Sequence, residues 1–495
     1  MEAIQQAFRS IFATEILMVL AVIAFLAFTV LLVKNIGANR EEQTSSRCWW
    51  ALAGIILLGL GLRIGWIAFT QPEPRSDFEV YWQFARNFYH GDFTYNILIR
   101  HPGAIILQTF SFWLFGGPSY LAGWILNLFL SAVIMLQVYA LTRLLLGKRL
   151  PALIATAMAA LFPQLITYAA LMSTEIPAVA FSFMVFWAVL HSLERKPADD
   201  QEKRPIWYWA GVGAMLYGTI LIRSSNLLFL VLVPVLFLLT RREQLKAWAV
   251  RYAVMALTTG LLLSTWVYHQ YLVGGSPRLF WGDALWMVSA INYEHQGGYT
   301  TANQMPEIWT KVEPAARLFK KTGNPRDEVR YYDVLGAEVM KIVKADPAKY
   351  ILNGFPRLKR TLWTSQTGLR WSQKGSMVLQ KVPGKLVTRM ATISNVIWQT
   401  LLLLSPLGFI NLRRKNSLAS RETFLLTGLY LLAWLSFYFL LAEAYERYAV
   451  QIIPFVLMLS TSALTWLFAT LKKLFTDNSP EGHVQQGSQA EISAV

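Results

Sequence analysis

A single cysteine, Cys48, in 495 residues leaves no internal disulfide to form and no thiolate metal cluster to build. Charge is scarce as well: 15% of residues are Asp, Glu, Lys or Arg, against about a quarter in soluble domains. Acid is scarcer than base, 29 Asp and Glu against 45 Lys and Arg. No H-x-x-x-H or H-E-x-x-H spacing occurs, so no preformed zinc site is expected. A Walker A sequence, a G-x-G-x-x-G following a strand and a G-x-S-x-G nucleophile elbow are missing too, which excludes a nucleotide-driven pump domain. No internal repeat is apparent either.

What fills the chain instead is apolar sequence. Hydrophobic residues make up 55%, arranged in repeated runs near 20 residues. That pattern predicts an all-α polytopic membrane protein. About 11 spans are expected, over 14–33, 49–70, 119–143, 151–168, 175–193, 207–222, 226–240, 252–271, 396–412, 422–441 and 450–470. The first run, Ile16 to Val33, ends at Lys34 without an A-x-A-like cleavage site and reads as a retained helix. Nineteen Trp and twenty Tyr suit belts at the two membrane interfaces. In a soluble protein a net charge of +16 would point to nucleic acid. Here basic loops and anionic lipid account for it, so membrane lipids are the expected partner and nucleic acid is not.

Basic residues set the orientation. Lys34, Arg40 and Arg47, then Arg143, Lys148 and Arg149, then the loops 194–205, 241–251 and 411–421 fall on one side if the N-terminus is extracytoplasmic and the C-terminus cytoplasmic. The run Gly103 to Gly116 is too short to cross and is expected to lie in the interface or re-enter. The expected organisation is an extra N-terminal helix and cytoplasmic loop (1–48), a membrane core (49–271) with a first outer loop (71–118), an α-rich extracytoplasmic segment (272–395), C-terminal helices (396–470) and a disordered tail (471–495). Segment 272–395 carries 18 Lys/Arg against 9 Asp/Glu.

The outer side displays the chemistry. PRSDFEVYWQFARNFYHGDF (Pro74 to Phe93) opens with Asp77 just where the chain leaves the bilayer, a costly position for a carboxylate. Ser76 and Glu79 form an S-x-x-E capping box, which explains both as an ordinary helix start but leaves Asp77 unexplained. Glu175, in LMSTEIP, reads either as an N-terminal helix acid or as a second carboxylate able to orient an acceptor or a cation. Arg100 and His101 precede Pro102, Arg223 lies in IRSSN, and Tyr445 and Arg447 lie in AEAYERYAVQIIP. Arginine suits a phosphate, which it grips with two donors. Arg63, inside the second span, reads either the same way or as a snorkelling side chain. Residues 333–363 read as two helices broken at Asp346–Pro347. The second is either a basic amphipathic helix on the membrane surface or a packed helix of a small outer domain.

In this order the residues resemble the polytopic glycosyltransferases of the GT-C fold, above all the bacterial protein-mannosyltransferase and aminoarabinose-transferase-like group, akin to glycosyltransferase family 39. The resemblance rests on S-D-x-x-x-Y-W-x-x-A-R-N (Ser76 to Asn87), H-P-G-x-x-x-L-Q (His101 to Gln108) and L-F-G (Leu114 to Gly116). It continues through Thr174–Glu175, W-x-x-x-x-Y-L-x-G (Trp266 to Gly274) and E-R-Y-x-x-x-x-x-P (Glu446 to Pro454). It implies a GT-C-like helix bundle in the plasma membrane. The implied reaction moves a sugar from a polyprenyl-phosphate donor to a lipid, glycan or protein acceptor on the extracytoplasmic face, with inversion. Asp77 then matches the general base and Glu175 the second-loop acid. Arg100, His101, Arg223, Tyr445 and Arg447 are expected to bind substrate. Many members place D-E where this chain has Asp77–Phe78, and some carry a metal-binding acid where it has Arg100–His101. No metal ligands are therefore assigned, no cofactor is fixed, and a divalent cation stays open. Two other classes fit the membrane setting: a lipid-linked saccharide flippase or transporter, which would show inverted repeats, and an oligosaccharide polymerase or ligase, which would not need the Asp77 segment.

Overall fold

The computed structural model describes residues 2–38, 45–92, 101–193, 204–280, 283–292, 301–413, 418–440 and 445–477, and every regular element among them is helical. Helices α1 (Glu2–Ala38) and α2 (Ser45–Thr70) lead into the amphipathic α3 (Asp77–Tyr89) and the short apolar α4 (Pro102–Leu114). The bundle continues with α5 (Tyr120–Leu146), α6 (Arg149–Leu161), α7 (Pro163–Ala169), α8 (Glu175–Leu193), α9 (Ile206–Ile222), α10 (Phe229–Thr240) and α11 (Leu245–Gly274). Shorter helices follow: α12 (Asp283–Ile291), α13 (Pro306–Thr322), α14 (Pro325–Ala345), α15 (Pro347–Leu352), α16 (Gly354–Leu362), α17 (Thr367–Gly375) and α18 (Met377–Lys381). Three long helices close the chain, α19 (Gly384–Arg413), α20 (Leu418–Leu440) and α21 (Ile453–Asp477).

Ten of the expected spans each fall largely on one α-helix, and 151–168 falls on two, α6 and α7. Among the described residues eight helices are long and apolar enough to cross a membrane, and the bent pair α6–α7 makes nine. The remaining two expected spans, α9 and the run Ser224–Thr240, are shorter apolar helices, as is α4. α21 runs on to Asp477, past its expected end. Residues 478–495 lie outside the described residues.

α8 is apolar all round and sits at the centre, as such a helix must; nearly all of its side chains are buried. The extra N-terminal helix is a full member of the bundle. Phe25 stacks on Phe181 of α8 at 4.2 Å, Phe28 meets Tyr208 of α9 edge-on at 4.8 Å, and the Tyr217 hydroxyl donates to the Thr14 carbonyl at 3.2 Å.

Arg63 has neither of its expected roles. The chain bends by 53° between α6 and α7, where Pro163 has no N–H to give the Ala159 carbonyl. The fully buried Arg63 supplies the missing donors, bonding Ala159 at 3.2 Å and Ala160 at 3.0 Å, with Gly59 of its own helix at 2.8 Å. Inside a bilayer no water would satisfy those carbonyls.

The segment between α11 and α15 builds a small core of its own, with Val288, Val312, Leu335 and Val339 buried among α12, α13 and α14. α14 stops at Ala345, and the Asp346 carboxylate accepts from the Lys349 N–H at 2.9 Å to start α15 at Pro347, the expected break. Arg357, in the second of the two expected helices, is buried. It donates to the Phe439 carbonyl at 2.7 Å and lies 4.7 Å over the Tyr350 ring, satisfying the last turn of α20.

Candidate functional site

Four charged side chains from four helix ends meet on one side of the bundle. Asp77 begins α3, Glu175 begins α8, Arg223 follows α9, and Arg447 lies in the 3-10 run Glu446–Ile452 ahead of α21. Arg447 Nη1 donates to Asp77 Oδ2 at 3.0 Å. Glu175 Oε1 lies 3.5 Å from Arg223 Nη2 and 3.9 Å from Arg447 Nε. The residues are up to 370 positions apart in sequence, and only the folded bundle brings them together.

The entry to α3 differs from expectation. Ser76 takes φ +57° and its hydroxyl makes no cap bond, so the capping box does not form. A positive φ on a non-glycine residue is strained. Together with Gln71 at φ +39°, it turns the chain back from the end of α2 and delivers Asp77 to Arg447. Glu79 instead accepts from Gln83 at 3.3 Å on the outer face of α3.

The two acids are placed for different tasks. The Asp77 side chain keeps 27% of its surface exposed, whereas Glu175 keeps 1%. Asp77 is open to a substrate hydroxyl; Glu175 is enclosed. Glu175 Oε2 has no hydrogen-bond partner among the described residues. Two guanidinium groups balance the two carboxylates, and breaking such a buried set from one side costs about 3–5 kcal/mol. Tyrosines hold the arginines in place. Arg447 lies 5.0 Å from the Tyr445 ring and 5.4 Å from Tyr448, and Arg223 lies 5.0 Å from Tyr448.

A further part of the site comes from residues 364–375, which the sequence did not single out. The Thr364 and Thr367 hydroxyls both donate to Glu446, the residue next to Arg447. Trp371 Nε1 donates to the Tyr445 hydroxyl at 3.2 Å, and the Trp371 ring meets Phe78 edge-on at 5.3 Å. Two glycines allow this close seating: a Cβ on Gly368 would stand 2.2 Å from Thr167 Oγ1, and one on Gly375 2.2 Å from the Glu73 carbonyl. α17 therefore ties the Asp77 turn to the Arg447 run. Its cue in the chain is slight: Leu369 and Trp371 amid polar residues, in a helix of nine residues.

His101 is placed against Phe280, ring to ring at 4.6 Å. Arg100 lies outside the described residues. Beside Arg223 opens a cavity of about 480 Å³, walled by Leu228, Val231, Leu279 and Phe437, with Ser224, Ser225 and Arg278 at its polar end. Among the described residues no three His, Cys, Asp or Glu side chains come together as metal ligands. The two acids already face two guanidinium groups, which would repel a dication, so the donor set does not suit a divalent metal.

Residues 100–269 match the family model for dolichyl-phosphate-mannose-protein mannosyltransferase. Among solved structures, the apo oligosaccharyltransferase of Archaeoglobus fulgidus aligns at 15% identity over 91% of this chain and 53% of its own, with a TM-score of 0.50. The fold is of the GT-C type. The oligosaccharyltransferase AglB of the same organism, solved with an inhibitory peptide and a dolichol-phosphate, aligns at 13% identity over 92% of this chain and 55% of its own, with a TM-score of 0.49. This chain thus spans about half the length of those proteins. No curated protein matches it. The family match and the fold together support a membrane glycosyltransferase of GT-C type. The matched stretch contains Glu175 and Arg223, while Asp77 and Arg447 lie to either side of it.

Proposed function

We propose that the protein transfers a sugar from a polyprenyl-phosphate donor to an acceptor hydroxyl, with inversion and with Asp77 as general base. The observation that carries this reading is the Asp77–Arg447 pair at 3.0 Å, with Glu175 and Arg223 beneath it. It places a reachable carboxylate beside a guanidinium at the mouth of a membrane bundle. The matched family model, whose name specifies a lipid-phosphate sugar and a protein acceptor, supports the same donor class.

In this mechanism the donor phosphate competes with Asp77 for Arg447, and Arg223 lies near enough to share its charge. The prenyl tail enters from the lipid side through the cavity walled by Leu228, Val231 and Phe437. Freed from Arg447, Asp77 takes the proton of the acceptor hydroxyl as its oxygen bonds the anomeric carbon. The bond from that carbon to the phosphate breaks on the opposite face, and the arginines stabilise the departing prenyl monophosphate. Glu175 keeps both guanidinium groups in position. No nucleotide is required, because the phosphate linkage already activates the sugar.

The experiment is incubation of purified protein with a labelled polyprenyl-phosphate sugar and candidate acceptors. Asp77→Asn should bind donor yet lose transfer by at least a hundredfold, in keeping with removal of a general base. Near-normal turnover in that variant would sink the assignment. Donor movement across vesicles without transfer would favour a flippase.

A further inference from the structure

Between Asp346 and Glu422 the chain contains no Asp or Glu at all, while residues 347–395 contain nine Lys and Arg. Only Arg357 of the nine is buried; the others are exposed. Large apolar side chains are exposed among them: Leu352 at 65%, Phe355 at 64% and Met377 at 74%. Phe355 and Lys359 stand one turn apart on the open face of α16, opposite the buried Gly354, Arg357 and Thr361. A purely aqueous surface would hide the phenylalanine, and a lipid-buried one would exclude the lysine. The two together suit the head-group layer.

Two attachments set these residues at that level. α16 is fixed to the end of the apolar helix α20, through Arg357 on the Phe439 carbonyl, Tyr350 on the Leu440 carbonyl, and Phe355 edge-on to Phe439 at 5.0 Å. α18 runs within a few residues into α19, itself long and apolar enough to cross. Both patches therefore lie at the mouths of membrane helices, on the side where α17 joins the candidate site.

We infer that residues 347–389 form a docking surface for anionic phospholipid head groups of the leaflet on that side. The apolar side chains enter the upper acyl region, and Lys359, Arg360, Lys381 and Lys385 meet the phosphates. Charge complementarity names the occupant: the run holds nine cations and no acid, so its surface is positive throughout. This surface stands whether or not the glycosyl-transfer reading holds.

The test uses the full chain in nanodiscs. With Cys48→Ser as background, spin labels at Leu352→Cys and Met377→Cys should be reached by oxygen more than by a water-soluble nickel reagent. A label at Lys321→Cys, at the end of α13, should show the reverse. Spin-labelled phosphatidylglycerol should contact the protein in preference to phosphatidylcholine. Replacing Lys359, Arg360, Lys381 and Lys385 by Gln should reduce that preference at least tenfold, since each basic residue near a charged surface is worth roughly fivefold. High salt should erode it in the unchanged protein as well. The inference is overturned if both labels behave like the Lys321 control, or if the lipid preference survives both the four replacements and high salt.

Discussion

Replacing Arg63 by Met tests how the bent span is held. The substitution removes three hydrogen bonds, to Gly59 at 2.8 Å, Ala160 at 3.0 Å and Ala159 at 3.2 Å, from a side chain that is 1% exposed. It also removes a buried positive charge, a gain that can match the loss where both partners become apolar. Here they do not: the carbonyls of Ala159 and Ala160 stay at a break where Pro163 cannot supply an N–H. Each orphaned carbonyl costs about 1–3 kcal/mol, so the net loss is on the order of 2–4 kcal/mol. Thermal unfolding of detergent-purified protein should show a midpoint lowered by several degrees. Arg63→Lys should fall between the two, because one ammonium cannot copy the guanidinium fork. Pro163→Ala, which returns a donor to the Ala159 carbonyl, should recover part of the loss in the Arg63→Met background. A midpoint unchanged by Arg63→Met, or no coupling between the two positions, would refute the reasoning.

Other outcomes follow from the same contacts. Thr364→Val with Thr367→Val frees Glu446, and transfer should drop at least tenfold while expression and detergent behaviour hold; unchanged transfer would show that the clamp on Glu446 is only structural. Glu175→Gln leaves Arg223 and Arg447 without their shared acid and should cost about 3 kcal/mol of stability, read as a lower unfolding midpoint; adding Arg223→Met should return part of it. Arg357→Met should detach α16 from the end of α20, seen as faster proteolysis within 347–363. Burial in α14 raises the Glu328 carboxyl above its ordinary value of 4.5, against the bond from the Tyr332 hydroxyl. A raised acid adds stability that is full below 4.5 and fades as pH climbs through its folded value. Glu328→Gln should therefore flatten the fall in midpoint between pH 4 and 7.

Much of the bundle is legible in the chain because lipid imposes long apolar runs, and each run expected to cross became helical, 151–168 as a bent pair. Asp77, Glu175, Arg223 and Arg447 are legible as charges at run ends, where their presence demands a reason. Their pairing is not: nothing along the chain says that Arg447 faces Asp77 rather than water. Ser76 misled because the S-x-x-E spacing scores a local cap, whereas a tertiary demand on Asp77 put the backbone at positive φ. Arg63 misled for a related reason, since two of its partners are carbonyls at a break made by a proline a hundred residues on. Residues 364–375 were invisible because their meaning lies in close backbone approach at Gly368 and Gly375, which leaves no periodic trace.

The most direct measurement of the central claim is a density map of the protein with bound polyprenyl monophosphate. The phosphate is expected within hydrogen-bond reach of Arg447, near Arg223, with Asp77 released and its carboxylate turned to the open side. A phosphate bound elsewhere, with Asp77 and Arg447 still joined at their present distance, would contradict it.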